Sequence, residues 1–418
     1  MRAEILSIGT EILVGSILNT NARFLSQRLA ENGVDVFRQV TVGDNISRIS
    51  EAIGAALSRA DLVVTSGGLG PTEDDATLRG LAAYLGVPLV RHKPTERAIR
   101  TRLKKRGYRF TDLIAKECDI PQGARRVFQN RNGTAPGILY EIRRIGHRSG
   151  WVLLLPGPPR ELEPMFLSQA LPILRRLSGA GKESFLIRSL RLACVAESRV
   201  AEKIPDILKW RPPLTVGIYA KPGEVELKIM SKSPSLRKAK LGIRRAEKIL
   251  RRRLGNTIYG ADDDTLAGVV GSCFRKCRLT LAVAESCTGG ALGAALTDAP
   301  GSSDFFLGGV TSYANTAKSD LLMVAPKILS RHGAVSSAAA RQMALGARDR
   351  FKSDHAISIT GIAGPSGGTA KKPVGTVFIG MAGPEGCVVH RHLFFGDRAA
   401  IRRQAVQAAL NALRLGSR

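Results

Sequence analysis

From residue 3 to residue 66, short strand-like runs at 5–8, 34–42 and 62–65 alternate with stretches of helical period at 21–31 and 46–59. That alternation predicts a parallel sheet whose strands are joined by covering helices. The pattern resumes with a strand at 151–155, the turn Pro156-Gly157-Pro158-Pro159 and a helix from about residue 160, which sets a first domain at 1–170. A second block, 171–260, reads as strand, helix (197–208), strand (214–218), strand (225–229) and helix (235–254). Its two middle strands meet at Lys221-Pro222-Gly223, so a small α+β module is expected. A third block, 261–418, opens with Asp262-Asp263-Asp264-Thr265 as a helix entrance. It carries strands at 279–284, 310–313, 356–360, 376–381 and 388–395 and closes with a helix at 399–415. The whole reads as an α/β protein of three blocks, without repeats or low-complexity tracts.

At 418 residues and 44% hydrophobic content, each block can bury a core. The longest uninterrupted apolar runs, such as 151–155, fall far short of the roughly 18 residues that a spanning helix needs, so a membrane protein is not expected. Glu4 interrupts what would be the apolar heart of a signal peptide, and cytoplasmic residence is the expectation. The six cysteines form no CxxC pair, which argues for reduced thiols rather than a disulfide framework or structural zinc.

Charge adds a further question. Lys plus Arg exceed Asp plus Glu by 63 to 35, and between positions 175 and 260 the count is 21 to 7, so a fifth of the chain carries half of the net +28. Such a balance invites a nucleic-acid reading. Aromatic content of 5% and the lack of a GxxG clamp in this segment weigh against it, and a solvated basic face is expected instead.

Two segments carry chemistry. Ser66-Gly67-Gly68-Leu69-Gly70-Pro71-Thr72-Glu73-Asp74-Asp75 leaves a strand through glycines and heads into a helix. Gly67, Gly68, Gly70 and Thr72 can cradle a phosphate. Asp74 and Asp75 would repel that phosphate unless a divalent cation lay between them. A local alternative has Thr72 capping the helix and Asp75 closing a capping box. Asp44, in Val42-Gly43-Asp44-Asn45 at another strand end, would face the same crevice.

The second segment, Ala284-Glu285-Ser286-Cys287-Thr288-Gly289-Gly290, is again strand, sharp turn and helix. Ser286 would be presented to substrate, with the backbone N–H groups of Thr288, Gly289 and Gly290 aimed at an oxyanion or a phosphate. No histidine is placed to serve it. Lys318 in Tyr313-Ala314-Asn315-Thr316-Ala317-Lys318 offers a desolvated base, with Tyr313 relaying or orienting. Cys287 is a rival nucleophile whose side chain should point away from that of Ser286. A helix cap is the plain alternative for Ser286. A third glycine-rich loop, from Thr360 and Gly361 to Thr369, would share the sheet edge, with Arg398 supplying counter-charge. His390 and His392 alternate along a strand and would share a face, a weak signal for a metal.

These motifs, with Ser7-Ile8-Gly9-Thr10-Glu11, Asn19-Thr20-Asn21-Ala22, Gly133-Thr134-Ala135-Pro136-Gly137, Leu155-Pro156-Gly157-Pro158-Pro159 and Thr360-Gly361-Ile362-Ala363-Gly364-Pro365, occur in order along the chain. In this the chain resembles the CinA (competence/damage-inducible) family over essentially its whole length. The resemblance implies a molybdopterin-binding-like three-layer α/β domain with metal-dependent ADP-ribose pyrophosphatase activity at 1–170. Asp44 and Asp75 would be its metal ligands, with Glu11, Asp74 and Asn21 as further candidates and Mg, Mn or Co as the cation. It implies a KH-type module at 171–260. At 261–418 it implies a cofactor-free nicotinamide mononucleotide amidohydrolase domain, with Ser286, Tyr313 and Lys318 as the catalytic group and Thr360 and Arg398 as substrate contacts. A homodimer is implied as well. A single active domain beside a pterin- or nucleotide-binding one is the alternative. Two departures from the family pattern stand out: Cys194-Val195-Ala196-Glu197-Ser198, where the family is richer in glycine, and Ser312, where a small apolar residue is commoner.

Overall fold

The computed structural model describes residues 1–142, 150–179, 184–221 and 223–416. The chain clusters into two compact units, one made of Met1–Leu186 with Lys232–Ala239, the other of Ile187–Ser231 with the residues from Lys240 onward.

The first unit is built on strands β1 (Arg2–Ile8), β2 (Asp35–Val42), β3 (Leu62–Ser66), β6 (Arg126–Phe128), β7 (Gly137–Ile142) and β8 (Gly150–Leu155), in the order β2-β1-β3-β8-β7-β6. A separate pair joins β4 (Leu89–Arg91) to β5 (Asp119–Pro121). Every residue of β3 is buried, and so is nearly all of β1 and β8, because helices cover both faces of these central strands. Continuous apolar strands of this kind are what the sequence pattern showed. The sheet is not wholly parallel, however. The β2-β1-β3-β8 part is, while β7 runs antiparallel to both of its neighbours, β8 and β6. The step from 142 to 150 is too short for the crossover that a parallel neighbour requires.

Asn19 and Asn45 start the helices Thr20–Glu31 and Ile46–Leu57, their side chains accepting from the backbone N–H groups of Ala22 and Arg48. Ile49, Ile53, Ala56 and Leu57 turn inward on the second of these helices. Glu4, the buried charge of β1, is held in a two-pronged pair by Arg59 at 2.6 and 2.8 Å.

The basic block, most of which belongs to the second unit, folds as β9 (Ser184–Ala193), β10 (Leu214–Lys221), β11 (Glu224–Ser233) and β12 (Ile258–Ala261), ordered β10-β11-β9-β12, with the helix Leu236–Leu254. The helix expected at 197–208 stops at Lys203. Pro205 denies the next turn its N–H, and a short 3₁₀ turn, Ile207–Lys209, follows. The tight turn between β10 and β11 includes Pro222, which lies outside the described residues.

The remaining sheet is ordered β14 (Phe306–Thr311), β13 (Leu281–Glu285), β15 (His355–Gly361), β16 (Thr376–Gly383), β17 (Gly386–Leu393). The first three strands are parallel and the last two antiparallel hairpin partners. Its core joins Val270 and Phe274 of one helix, Leu281 and Val283 of β13, Ile357 and Ile359 of β15, and Leu410 and Leu413 of the helix Arg398–Gly416. The strand expected at 310–313 begins and ends earlier. Gly308 and Gly309 belong to it because a Cβ on Gly309 would stand 2.3 Å from Val283 Cγ2.

Candidate functional site

In the first unit the strand ends open on a cavity of about 540 Å³. Gly67 and Gly68 form its floor at φ 103° and 63°, and a Cβ at Gly67 would lie 2.1 Å from the Ile8 carbonyl oxygen. Only glycine lets β3 leave the sheet this close to β1. The loop does not run straight into a helix. Asp75 Oδ2 accepts from Thr72 N–H at 2.9 Å and from Thr72 Oγ1 at 2.6 Å, closing a turn, and the helix Thr77–Leu85 starts only afterwards, with no side-chain cap. The capping reading of Thr72 and Asp75 therefore does not hold. Thr72 also lies off the cavity wall, on a neighbouring recess with Glu73 and Lys116.

Glu11, Asp44, Asp74, Asp75, Gly67, Gly68 and Gly70 do line the cavity together. Asp44 accepts from the Thr10 N–H at 2.7 Å and the Thr10 hydroxyl at 2.8 Å, so one of its oxygens is already spent locally. Thr72 holds the Asp74 carboxyl below the usual carboxylate range.

Two acids that sequence reasoning missed, Glu117 and Glu161, also stand on the cavity wall. Glu117 is 1% exposed; Thr134 donates to its Oε1 at 3.0 Å, while its Oε2 has no partner. Burial pushes its carboxyl up to about 7, the bond from Thr134 opposes that rise, and the charges of Asp75 and Glu161 add to it. Asn21 Oδ1 and Ser66 Oγ are likewise buried on this wall without partners. Three orphaned polar atoms around one cavity are groups left to be satisfied by a ligand or water.

The donor set is all oxygen, which suits a hard divalent cation. Among the described residues, though, no group of three or more His, Cys, Asp or Glu lies close enough together to hold a metal ion. The residues thus fit a cation held by one or two carboxylates, with water and phosphate oxygens completing its shell, the habit of Mg²⁺. Nor, among the described residues, do His390 and His392, whose rings lie 6.5 Å apart, gather a third His, Cys, Asp or Glu into a metal cluster.

In the second unit Ser286 sits on the turn after β13, Lys318 lies on the helix Asn315–Leu322, and the two are brought together from 32 positions apart. Lys318 is 1% exposed, and its Nζ donates to Ser286 Oγ at 3.1 Å and to the carbonyls of Ser312 at 2.7 Å and Tyr313 at 3.2 Å. No carboxylate compensates its charge in these contacts, and burial lowers its pKa from the ordinary lysine value. Cys287 turns into the hydrophobic core, where burial pushes its thiol up to about 11. That makes it a poor nucleophile.

The oxyanion donors are fewer than the sequence suggested. Gly289 N–H donates to the Ser286 carbonyl at 3.1 Å and Gly290 N–H to Glu285 at 3.1 Å, which leaves the Thr288 N–H. Glu285, buried within β13, also accepts from the N–H groups of Leu292 and Gly293, so a side chain that reads as plain strand fixes the helix Ala291–Thr297. Arg402 clamps the Thr288 carbonyl at 2.6 Å. Tyr313 is 63% exposed; Arg398 donates to its hydroxyl at 3.0 Å and to the Gly364 carbonyl at 2.8 Å. Arg398 thereby ties the Tyr313 segment to the third glycine loop. Thr360 is buried and donates to the Ala334 carbonyl at 2.8 Å, while Gly361 ends β15 against Val377. Ser312, the departure beside Tyr313, contributes its carbonyl to Lys318 and disturbs nothing.

Three family models match: a probable molybdopterin binding domain over residues 4–176, a damage-inducible protein CinA KH domain over 187–260, and a CinA C-terminal domain over 263–415. A competence-damage inducible protein of Moorella thermoacetica is 46% identical over 99% of this chain and 98% of its own. The chain belongs to the CinA family. A CinA-like protein of Nostoc punctiforme is 44% identical over 99% of both chains. Among solved structures, a competence/damage inducible protein from Agrobacterium tumefaciens is 41% identical over 35% of this chain and 91% of its own, with a TM-score of 0.35. Among the described residues of this CinA-family chain, no helix is long and apolar enough to cross a membrane.

Proposed function

We propose that this chain is a hydrolase acting on pyridine nucleotides at two sites, releasing ammonia from nicotinamide mononucleotide in the C-terminal domain and cleaving ADP-ribose to AMP and ribose 5-phosphate in the N-terminal one. The observation that carries the reading is the buried contact of Lys318 Nζ with Ser286 Oγ at 3.1 Å. A lysine depressed by burial has a larger neutral fraction near pH 7 and can take the serine proton.

In the derived sequence, Ser286 Oγ attacks the carboxamide carbon as its proton passes to Lys318 Nζ. The negative charge that develops on the carboxamide oxygen faces the Thr288 N–H. Lys318 then returns the proton to the departing nitrogen, the C–N bond breaks and ammonia leaves. Water, deprotonated by the same lysine, cleaves the ester to the free acid and restores Ser286. No cofactor enters this scheme.

At the N-terminal site, Asp44 and Asp75 would hold a divalent cation, Mg, Mn or Co, with Glu11 and Asp74 beside it. Bound there, it would neutralise a diphosphate and polarise it toward water. The chain's own part is to bring the diphosphate onto the Gly67-Gly68 floor and to present the buried Glu117 carboxyl, near neutrality in pKa, in the same cavity. The second reading, a domain that binds a pterin or nucleotide without turnover, is favoured by the absence of a three-carboxylate cluster among the described residues.

Purified full chain is expected to release ammonia from nicotinamide mononucleotide, and Ser286→Ala to lower that rate by a factor on the order of a thousand or more. Retained release in the variant rejects the nucleophile. Asp75→Ala is expected to abolish metal-dependent ADP-ribose cleavage while sparing ammonia release. If the wild type binds ADP-ribose with metal yet never cleaves it, the binder reading replaces the diphosphatase.

A further inference from the structure

The second unit contains a further cavity, of about 840 Å³, away from Ser286 and Lys318. Its wall is the face of β17 and its extension on which His390, His392 and Phe394 alternate. Residues at i, i+2 and i+4 of an extended strand share one face, so these three flat rings form a ladder. The rings of His392 and Phe394 are stacked, 5.3 Å apart and 7° from parallel. Opposite them the helix Arg398–Gly416 contributes Ala408 and Ala412, and β16 and β11 contribute Met381 and Val225, an apolar floor. Polar side chains are few: Lys221, Glu197, Gln404 and Asn411, the last already accepting from Arg414. Gln404 spends its amide N–H on the carbonyls of Phe395 and Ala400, which leaves its own carbonyl oxygen as an acceptor. None of these groups takes part in either hydrolytic scheme.

The geometry points to this cavity as a binding site for a nucleoside-sized ligand that carries a flat heteroaromatic ring, hydroxyl groups and a phosphate. The volume falls within the roughly 300–1,000 Å³ of small-molecule sites, which are mostly apolar with a few fixed polar groups. An aromatic ladder facing small aliphatic side chains suits a ring more than a flexible chain, since a flat ring fills the slot without losing rotamer freedom. Each neutral imidazole offers one donor and one acceptor, the complement of a base edge. Lys221, with a side chain 54% exposed and paired with Glu226 at 3.6 Å, stands where a phosphate would share its ammonium group and keep its water, and Glu197 can accept from hydroxyls. The inference is independent of the two hydrolytic readings, because none of its residues belongs to those sites.

The test is calorimetric titration of the full chain with AMP, adenosine and ribose 5-phosphate. His392→Ala is expected to weaken AMP and adenosine binding by about tenfold, the scale of losing one stacking partner. Lys221→Glu, a substitution at an exposed position, is expected to weaken AMP by a similar factor and to leave adenosine unchanged. Melting temperatures equal to the wild type certify both variants. No AMP uptake at about 1 mM by the wild type overturns the site. So does AMP binding that neither variant changes, since the nucleotide would then sit elsewhere. Ribose 5-phosphate binding that Lys221→Glu weakens as it weakens AMP binding removes the role of the ring, and a single-stranded oligoadenylate whose tighter binding is lost in His392→Ala makes the ladder a nucleic-acid surface instead.

Discussion

A lysine buried without a carboxylate is a cost to the fold that the fold retains, and Lys318 shows where that cost goes. Its Nζ is satisfied by two carbonyls and Ser286 Oγ, none of which compensates a full charge. The folded pKa lies below the unfolded one, so between the two values the unfolded chain binds more protons and stability rises with pH. Replacing Lys318 by Met removes that dependence. The variant is expected to lose ammonia release and, in melting temperature, to gain most on the wild type at low pH, the difference narrowing as pH climbs toward the ordinary lysine value near 10.5. A difference that widens with pH would mean that Lys318 is held charged, and with it the base role fails. Ser286 and Lys318 were both legible in the sequence, because a sharp turn after a strand and a lysine after the next strand are local patterns. Glu117 was not. It is a single acid between Lys116 and Cys118, and only the packing of the 116–118 turn against Thr134 places it at the cavity.

Elements decide whether such residues meet. Most of the strands and their covering helices were legible, since buried parallel strands show as unbroken apolar runs; the antiparallel edge of the first sheet and the start of β14 were not. At β14 the need for glycine arises only in the packing, where a Cβ at Gly308 would meet Phe351 and one at Gly309 would meet Val283 on β13. Gly309→Ala puts a Cβ 2.3 Å from Val283 Cγ2 and 3.1 Å from its carbonyl oxygen. Overpacking of this kind costs about 1–3 kcal/mol. Because β14 leads directly to the Ser312 and Tyr313 carbonyls that anchor Lys318, Gly309→Ala is expected to lower both the melting temperature and the ammonia-release rate, leaving ADP-ribose cleavage as it was. An unchanged melting temperature would show that the β13–β14 spacing is not set by this glycine.

At the scale of the whole molecule the net charge of +28 remains to be assigned. Much of the basic block is already paired: Arg188 with Glu247 and Asp262, Arg191 with Glu224 and Glu226, Arg251 with Glu247, Arg253 with Asp206. Glu226 and Glu247 each serve two cations. Many of the cations left over lie along the helix Leu236–Leu254, and Lys228 stands over the ring of Tyr219 at 4.9 Å. A surface of that kind attracts phosphate backbones through counterion release and reads no bases. Full chain titrated with single-stranded oligonucleotides is expected to bind in the non-specific range, about 10⁻⁴–10⁻⁶ M at physiological salt, with the logarithm of affinity falling linearly and steeply against the logarithm of salt. Sequence preference, or affinity that salt hardly touches, would mean that the KH-type module recognises nucleic acid by contacts other than charge, and the assignment of this basic face to solvent would have to be withdrawn.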